Sequence, residues 1–316
     1  MFEKSVEELT ELGAQITTAE IAQQPELWRD TLNIYRENKE AIEAFLAEAR
    51  AMGEGRLSVV FTGAGTSDYV GDTCAPEGKL AVESADDPNA LTLLIPRAND
   101  KGFAMTGSYT CMTLLSTLIF DEASDEQKAE WVETIAKMGE EVIAREPEVA
   151  DYLAGDFNRV TYLGSGSFGG LAQESQLKIL ELAHGLVATS YDTSMGYRHG
   201  PKSFVDDKTL VFVFVNNDAY TRQYDIDILN EIGGDDIAQH TVAVQQEGAT
   251  VYEGESFTFK GYEALPEGYL AMPFVMFAQA ISLLNSVRVG NTPDTPSPTG
   301  TVNRVVKGVT IHPFTA

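Results

Sequence analysis

Arg159-Val-Thr-Tyr-Leu163 runs without a break into Gly164-Ser-Gly166-Ser167-Phe-Gly-Gly170 and then into a helical pattern that continues to about His184. An apolar run closing on a glycine-rich turn reads as a buried strand that reverses into a helix start. The same pattern stands about a hundred residues earlier, where Leu57-Ser-Val-Val-Phe-Thr62 leads into Gly63-Ala-Gly65-Thr66-Ser67. Two such units in one chain point to an internal duplication. Beyond the second unit, strands at 186–190, 209–216 and 240–244 are joined by helices at 220–232 and 270–288. Near-continuous apolar strands alternating with helices imply a parallel sheet covered on both faces. The expected class is α/β, doubly wound, in three α-β-α layers.

Residues 17–51 place Trp28, Leu32, Tyr35 and then Ile42, Phe45 and Leu46 at three- to four-residue spacing. This predicts an amphipathic helical lead-in with Thr17 or Thr18 as its cap and Pro25 as an interruption. Leu91-Thr-Leu-Leu-Ile95, closed by Pro96, reads as a further buried strand, and 112–120 as an apolar helix. Residues 121–156 carry twelve acidic and three basic side chains, yet Trp131, Ile135, Met138 and Val142 recur on one helical face. One side of that segment packs and the other is solvated. Residues 291–316, rich in Pro, Thr and Gly, read as an ordered tail over the surface. The scheme is a helical segment at 1–51, a first α/β unit at 52–150 and a second at 151–316. Only about fifteen residues lie between the helix start near 68–76 and Leu91. A sheet of five strands needs more at ~30 residues per βαβ, so the first unit is expected to lack part of its sheet.

The chain has 316 residues, 22 Lys+Arg against 48 Asp+Glu and a net charge of −26, with 43% apolar residues. A field of this sign repels polyanions, which excludes nucleic acid and anionic membrane surfaces as expected partners. Apolar runs from end to end argue against disorder. The start, MFEKSVEELTELGAQ, has no apolar block, so a cytoplasmic chain is expected. Pro273-Phe-Val-Met-Phe-Ala-Gln-Ala-Ile-Ser-Leu-Leu284 falls short of the ~20 residues of a membrane span and reads as a buried helix. Cys74 and Cys111 form no CxxC and have no His at ligand spacing, which disfavours disulfides and structural zinc.

A glycine-rich turn between strand and helix lets backbone N–H groups and the helix dipole approach an anion. Both Gly63–Ser67 and Gly164–Ser167 fit, and neither has the GxGxxG or GKS/GKT pattern of a dinucleotide or P-loop site. One such turn is ordinarily just a tight connection; two, with Thr66-Ser67 and Ser165/Ser167, favour a monophosphate. On the following helix Glu174, Lys178 and Glu181 fall at i, i+4 and i+7, on one face. A surface ion-pair ladder is the usual meaning of that spacing. Leu177, Ile179, Leu180 and Leu182, however, leave little of the helix for solvent, and a buried carboxylate and amine would be tuned for proton transfer. The third cluster is Met195-Gly-Tyr-Arg198-His199-Gly200-Pro201-Lys202-Ser203. It sets a histidine between two cations on a stiff loop, an anion-facing surface on an acidic protein.

These pieces together, with Thr301-Val-Asn-Arg-Val-Val-Lys307-Gly-Val-Thr, Gly102-Phe-Ala-Met-Thr106 and Asn217-Asp-Ala-Tyr-Thr-Arg-Gln-Tyr224, resemble the sugar isomerase (SIS) proteins. Within them the chain looks like the galactosamine-6-phosphate deaminase and tagatose-6-phosphate ketose-aldose isomerase subfamily. The resemblance implies a tandem pair of SIS domains, related to the isomerase half of glutamine-dependent glucosamine-6-phosphate synthase. It implies that Glu181 is the base moving a proton between C2 and C1. His199 would assist ring opening, reaching into the site of a neighbouring subunit, while Lys178 and Lys307 line the site and Glu174 supports it. Gly65, Thr66 and Ser67 would form part of the phosphate cradle, with Thr106 and Arg198 as further substrate contacts. Members carry a Ser-x-Ser-Gly-x-Ser phosphate loop before the segment resembling Glu77-Gly-Lys-Leu-Ala81; here Pro76 runs directly into Glu77.

The expected function is therefore a cofactor-free and metal-free deaminase/isomerase. It would convert D-galactosamine 6-phosphate to D-tagatose 6-phosphate and ammonia as a homodimer or higher homo-oligomer with a shared site. The alternatives are a glucosamine-6-phosphate deaminase, a ketose/aldose phosphate isomerase, or a non-catalytic sugar-phosphate-binding module. The last is disfavoured because 1–51 has no basic patch for a DNA-binding partner domain.

Overall fold

In a computed structural model the chain is described at residues 1–53, 55, 58, 82, 84–248, 250–304, 310 and 312–313. The N-terminal part is helical: α1 Val6–Glu11, α2 Gln15–Ala22, α3 Gln24–Glu37 and α4 Lys39–Met52. Ser5 and Glu8 close a reciprocal capping box on α1, a short helix that lies before the apolar spacing of 17–51 begins. One expectation is corrected here: Thr17 and Thr18 lie inside α2 rather than at its cap. The interruption at Pro25 is present as the break between α2 and α3, with Pro25 in the first turn of α3, where its missing N–H costs nothing. The start of α2 is capped from far away: Asp294 accepts the N–H groups of Ile16 at 3.0 Å and Thr17 at 2.8 Å. The described part of the tail thus fastens onto the lead-in helices.

The strand expected at 91–95 does not form; it pairs with no strand among the described residues, and of its five side chains only Ile95 is buried. An apolar run is a strand only when another strand presents its ladder to it. Apart from Ser58, the strand read at 57–62 lies outside the described residues, as do Pro76 and Glu77. The chain continues through α5 Gly107–Phe120, α6 Asp125–Ala144 and α7 Glu146–Asp151. On α6 Ile135, Met138 and Val142 are buried, as the spacing required.

The second unit holds β1 Arg159–Gly164, α8 Phe168–Leu182, β2 Ala188–Asp192, β3 Thr209–Phe214, α9 Thr221–Asp235, β4 His240–Gln246, β5 Ser256–Phe259 and α10 Glu267–Arg288. Among the described residues the strands form one parallel sheet in the order β2-β1-β3-β4-β5. The order reverses between β1 and β3, the position where open α/β sheets hold their ligands at the strands' carboxyl ends. Side chains alternate across the sheet. Tyr162, Phe212 and Phe214 point to the face covered by α8 and α10, whereas Leu163, Val211 and Val213 point to the face covered by Ile226 and Leu229 of α9. Burial of α10 is the centre of the fold: it packs against α8, α6 and α5. At 22 residues it is longer than the apolar run alone indicated and long enough to span a bilayer, yet 83% of its apolar window is buried inside the protein, which makes it a core helix.

Candidate active site

The turn that opens α8 is already filled. Gly166 takes φ of +61°, a conformation glycine adopts without strain, and Ser167 N–H donates to Oε1 of Glu267 at 2.7 Å. Ser165 Oγ donates to the buried carboxylate of Asp225 at 2.6 Å. Two of the donors read as a phosphate cradle, the Ser165 hydroxyl and the Ser167 N–H, thus bond the chain's own carboxylates. The other turn, with Gly65, Thr66 and Ser67, lies outside the described residues, as does Lys307.

Glu174, Lys178 and Glu181 come together as their spacing predicted. Lys178 Nζ donates to Glu181 Oε2 at 2.8 Å and lies 3.4 Å from Glu174 Oε1. The lysine is sealed in, with its side chain 1% exposed, and Glu174 is nearly so at 8%; Glu181, at 19%, is the outermost of the three. Leu180 faces solvent, contrary to the sequence reading, while Ile179 and Leu182 are buried. Burial opposes a charge on Lys178, but the two carboxylates outweigh it and hold its pKa above the ordinary lysine value. The cluster thus keeps an ammonium against a carboxylate that is partly exposed to solvent. Sequence spacing gave no hint of Tyr109 on α5, whose phenol is pushed up in pKa by burial and by the Glu174 charge.

The loop after β2 differs more from expectation. Arg198 Nε is paired with Glu231 at 2.9 Å, and Lys202 with Glu231 at 2.6 Å and Asp235 at 2.8 Å. These cations neutralise α9 instead of facing outward for an anion. His199 is exposed, and the next residue, Gly200, has φ of +131°, which a side chain would resist. This loop lies on the α9 face, since Tyr197 packs with Val211 and Val213 and its hydroxyl meets Thr161 Oγ1 at 3.2 Å. Helix α8 lies on the other face, where Gln176 bonds Thr189 of β2. Within one chain the sheet stands between His199 and Glu181.

Thr106 is fully buried at the start of α5. Its N–H donates to Asp100 at 2.7 Å and its hydroxyl at 3.3 Å, so the structure gives it to Asp100 and not to an open cleft. Among the described residues no group of three or more His, Cys, Asp or Glu side chains is placed to hold a metal ion.

No family model matches the chain. It is 40% identical to the D-galactosamine-6-phosphate deaminase AgaS of Escherichia coli over 77% of its own length and 64% of that relative's. The D-galactosamine-6-phosphate deaminase AgaS of Shewanella sp. (strain ANA-3) is 30% identical over 98% of this chain and 95% of its own. That alignment runs over 384 residues against 316 here, so the relative holds residues without a counterpart in this chain. The solved tagatose-6-phosphate ketose/aldose isomerase of Escherichia coli superposes with a TM-score of 0.82 at 29% identity, covering 95% of this chain and 97% of that one. The C-terminal domain of glucosamine-fructose-6-phosphate aminotransferase from Francisella tularensis shares the fold, with a TM-score of 0.57 at 15% identity over 88% of this chain and 98% of that one. The chain belongs to the family of D-galactosamine-6-phosphate deaminases and tagatose-6-phosphate ketose/aldose isomerases, among the SIS-type phosphosugar isomerases.

Proposed function

We propose that this protein deaminates and isomerises D-galactosamine 6-phosphate, giving D-tagatose 6-phosphate and ammonia. The observation that carries the reading is the buried Lys178 ammonium held between Glu174 and Glu181, with Glu181 outermost. After ring opening exposes the C1 aldehyde, Glu181 takes the proton from C2 and an enolamine forms. Returning that proton to C1 gives an imine at C2, and water from solvent hydrolyses the imine to the ketose and ammonia. A positioned base of this kind contributes about 10²–10⁴-fold. Lys178 stays charged and orients Glu181, and Glu174 balances its charge. With a 2-hydroxyl in place of the amine, the same transfer is an aldose–ketose isomerisation.

The reading extends to the assembly. A site using both Glu181 and His199 takes them from two copies, because the sheet separates them within one, and the enzyme works as a cytoplasmic homo-oligomer. Ammonia release from galactosamine 6-phosphate and from glucosamine 6-phosphate, assayed on purified protein, tests the substrate. Glu181→Gln is expected to abolish turnover while sugar-phosphate binding persists. Turnover near wild type in that variant would refute the role of Glu181. Binding without ammonia release by the wild type would make the protein a sugar-phosphate-binding module instead.

A further inference from the structure

Asp225 on α9 has no exposed surface, yet it is a carboxylate at the carboxyl edge of the sheet. It gathers donors from the ends of three strands. Ser165 Oγ, just after β1, reaches Oδ1 at 2.6 Å; Ser194 Oγ, just after β2, also donates to Oδ1; the Asn216 N–H, just after β3, reaches Oδ2 at 2.9 Å. Arg222, one turn earlier on the same helix, donates instead to the carbonyl oxygens of Asn216 and Gln246. Three donors, two hydroxyls and a backbone amide, converge on a carboxylate that accepts through both oxygens. An asparagine keeps one oxygen for the amide and turns an NH₂ toward the serines, so both hydroxyls must reverse and accept, and the contact that holds Ser194 is rebuilt.

Ser194 begins the segment that carries His199. From there Tyr197 is fully buried on Thr161 and Arg198 is paired with Glu231. The segment is therefore pinned at three points before the imidazole leaves the surface, and two of the pins, Asp225 and Glu231, stand on α9. We propose that Asp225 is a positioning residue for the deaminase reaction, fixing the start of this segment so that His199 projects at the height and angle a neighbouring site needs. The inference rests on the reading above that His199 takes part in turnover. Asp225 touches no substrate atom and acts only through the loop.

The test is a double-mutant cycle of Asp225→Asn and His199→Asn, read as kcat and KM with thermal midpoints recorded. A misplacement of about 1 Å can cost about a hundredfold, so Asp225→Asn is expected to lose about that much kcat with KM within about twofold of wild type. Combined with His199→Asn it adds no further loss, since the imidazole it positions is gone. Ser194→Ala removes only the loop's hydroxyl and is expected to give a smaller loss of the same kind; it replaces Asp225→Asn in the cycle if that variant does not fold. Losses that multiply with His199→Asn overturn the proposal, as does wild-type kcat in folded Asp225→Asn or Ser194→Ala. Wild-type kcat in His199→Asn itself overturns the underlying reading of His199, and this proposal with it.

Discussion

Glu267 Oε1 accepts the backbone N–H of Ser167 at 2.7 Å, so the first residue of α10 closes the amino end of α8. The closure is tight, because a Cβ at Gly166 would stand 2.6 Å from that same oxygen. A carboxylate on a helix start contributes about 0.3–1 kcal/mol. Glu267→Gln is therefore expected to lower stability by an amount in that range in a denaturant titration. It should leave the KM for sugar phosphate unchanged. A raised KM would return this turn to the substrate site.

Lys178 invites a variant that separates structure from chemistry. Removing one partner of a buried ionic group leaves uncompensated charge and costs about 3–5 kcal/mol. Lys178→Met is expected to lose stability on that scale together with turnover. Adding Glu174→Gln removes one of the stranded charges, so the double variant should regain part of the stability and none of the turnover. Recovery of turnover along with stability would mean that Lys178 serves packing alone.

Which features were legible in the sequence follows from how local they are. The apolar runs of β1, β3 and β4 and the pattern of α8 name their own structure, and the Glu174, Lys178, Glu181 face follows from helical spacing alone. Ser256-Phe-Thr-Phe259 becomes β5 only because β4 offers it a ladder, and 91–95, more apolar, has no such neighbour among the described residues. Arg198 and Lys202 read as open cations because Glu231 and Asp235, which neutralise them, lie about thirty residues away on a different element. The cap that Asp294 places on α2 crosses almost the whole chain. Long-range pairing of polar groups has no period, so nothing in a local window announces it.

Glu20 gives a pH signature. It is buried under the 99–106 loop, where it accepts the N–H groups of Lys101 and Gly102, and burial followed by the nearby Asp100 charge pushes its pKa up to about 7. Arg304, bonded to the Asp100 carbonyl, works weakly in the opposite direction. Because the folded value lies above the unfolded value of 4.5, the folded state holds a proton that the unfolded state has lost. The contribution is complete below about pH 4.5 and disappears as pH rises to about 7, a change on the order of 3 kcal/mol. Glu20→Gln keeps the acceptor and removes the titration. Its Tm should fall less than that of the wild type between pH 5 and pH 8; parallel slopes would show that Glu20 does not titrate in this window.

The separation of His199 from Glu181 by the sheet makes a prediction about mixtures. Glu181→Gln is expected to be inactive and His199→Asn to keep only a small residual turnover, since every site in either protein lacks one group. In a symmetric assembly with sites shared between copies, random exchange of subunits between the two variants makes about half of the dimers mixed. Each mixed dimer holds one site with both groups intact and one with neither. Co-refolding equal amounts should therefore restore about a quarter of wild-type ammonia release. A site confined to one chain would give no recovery, because exchange cannot bring Glu181 and His199 into the same polypeptide.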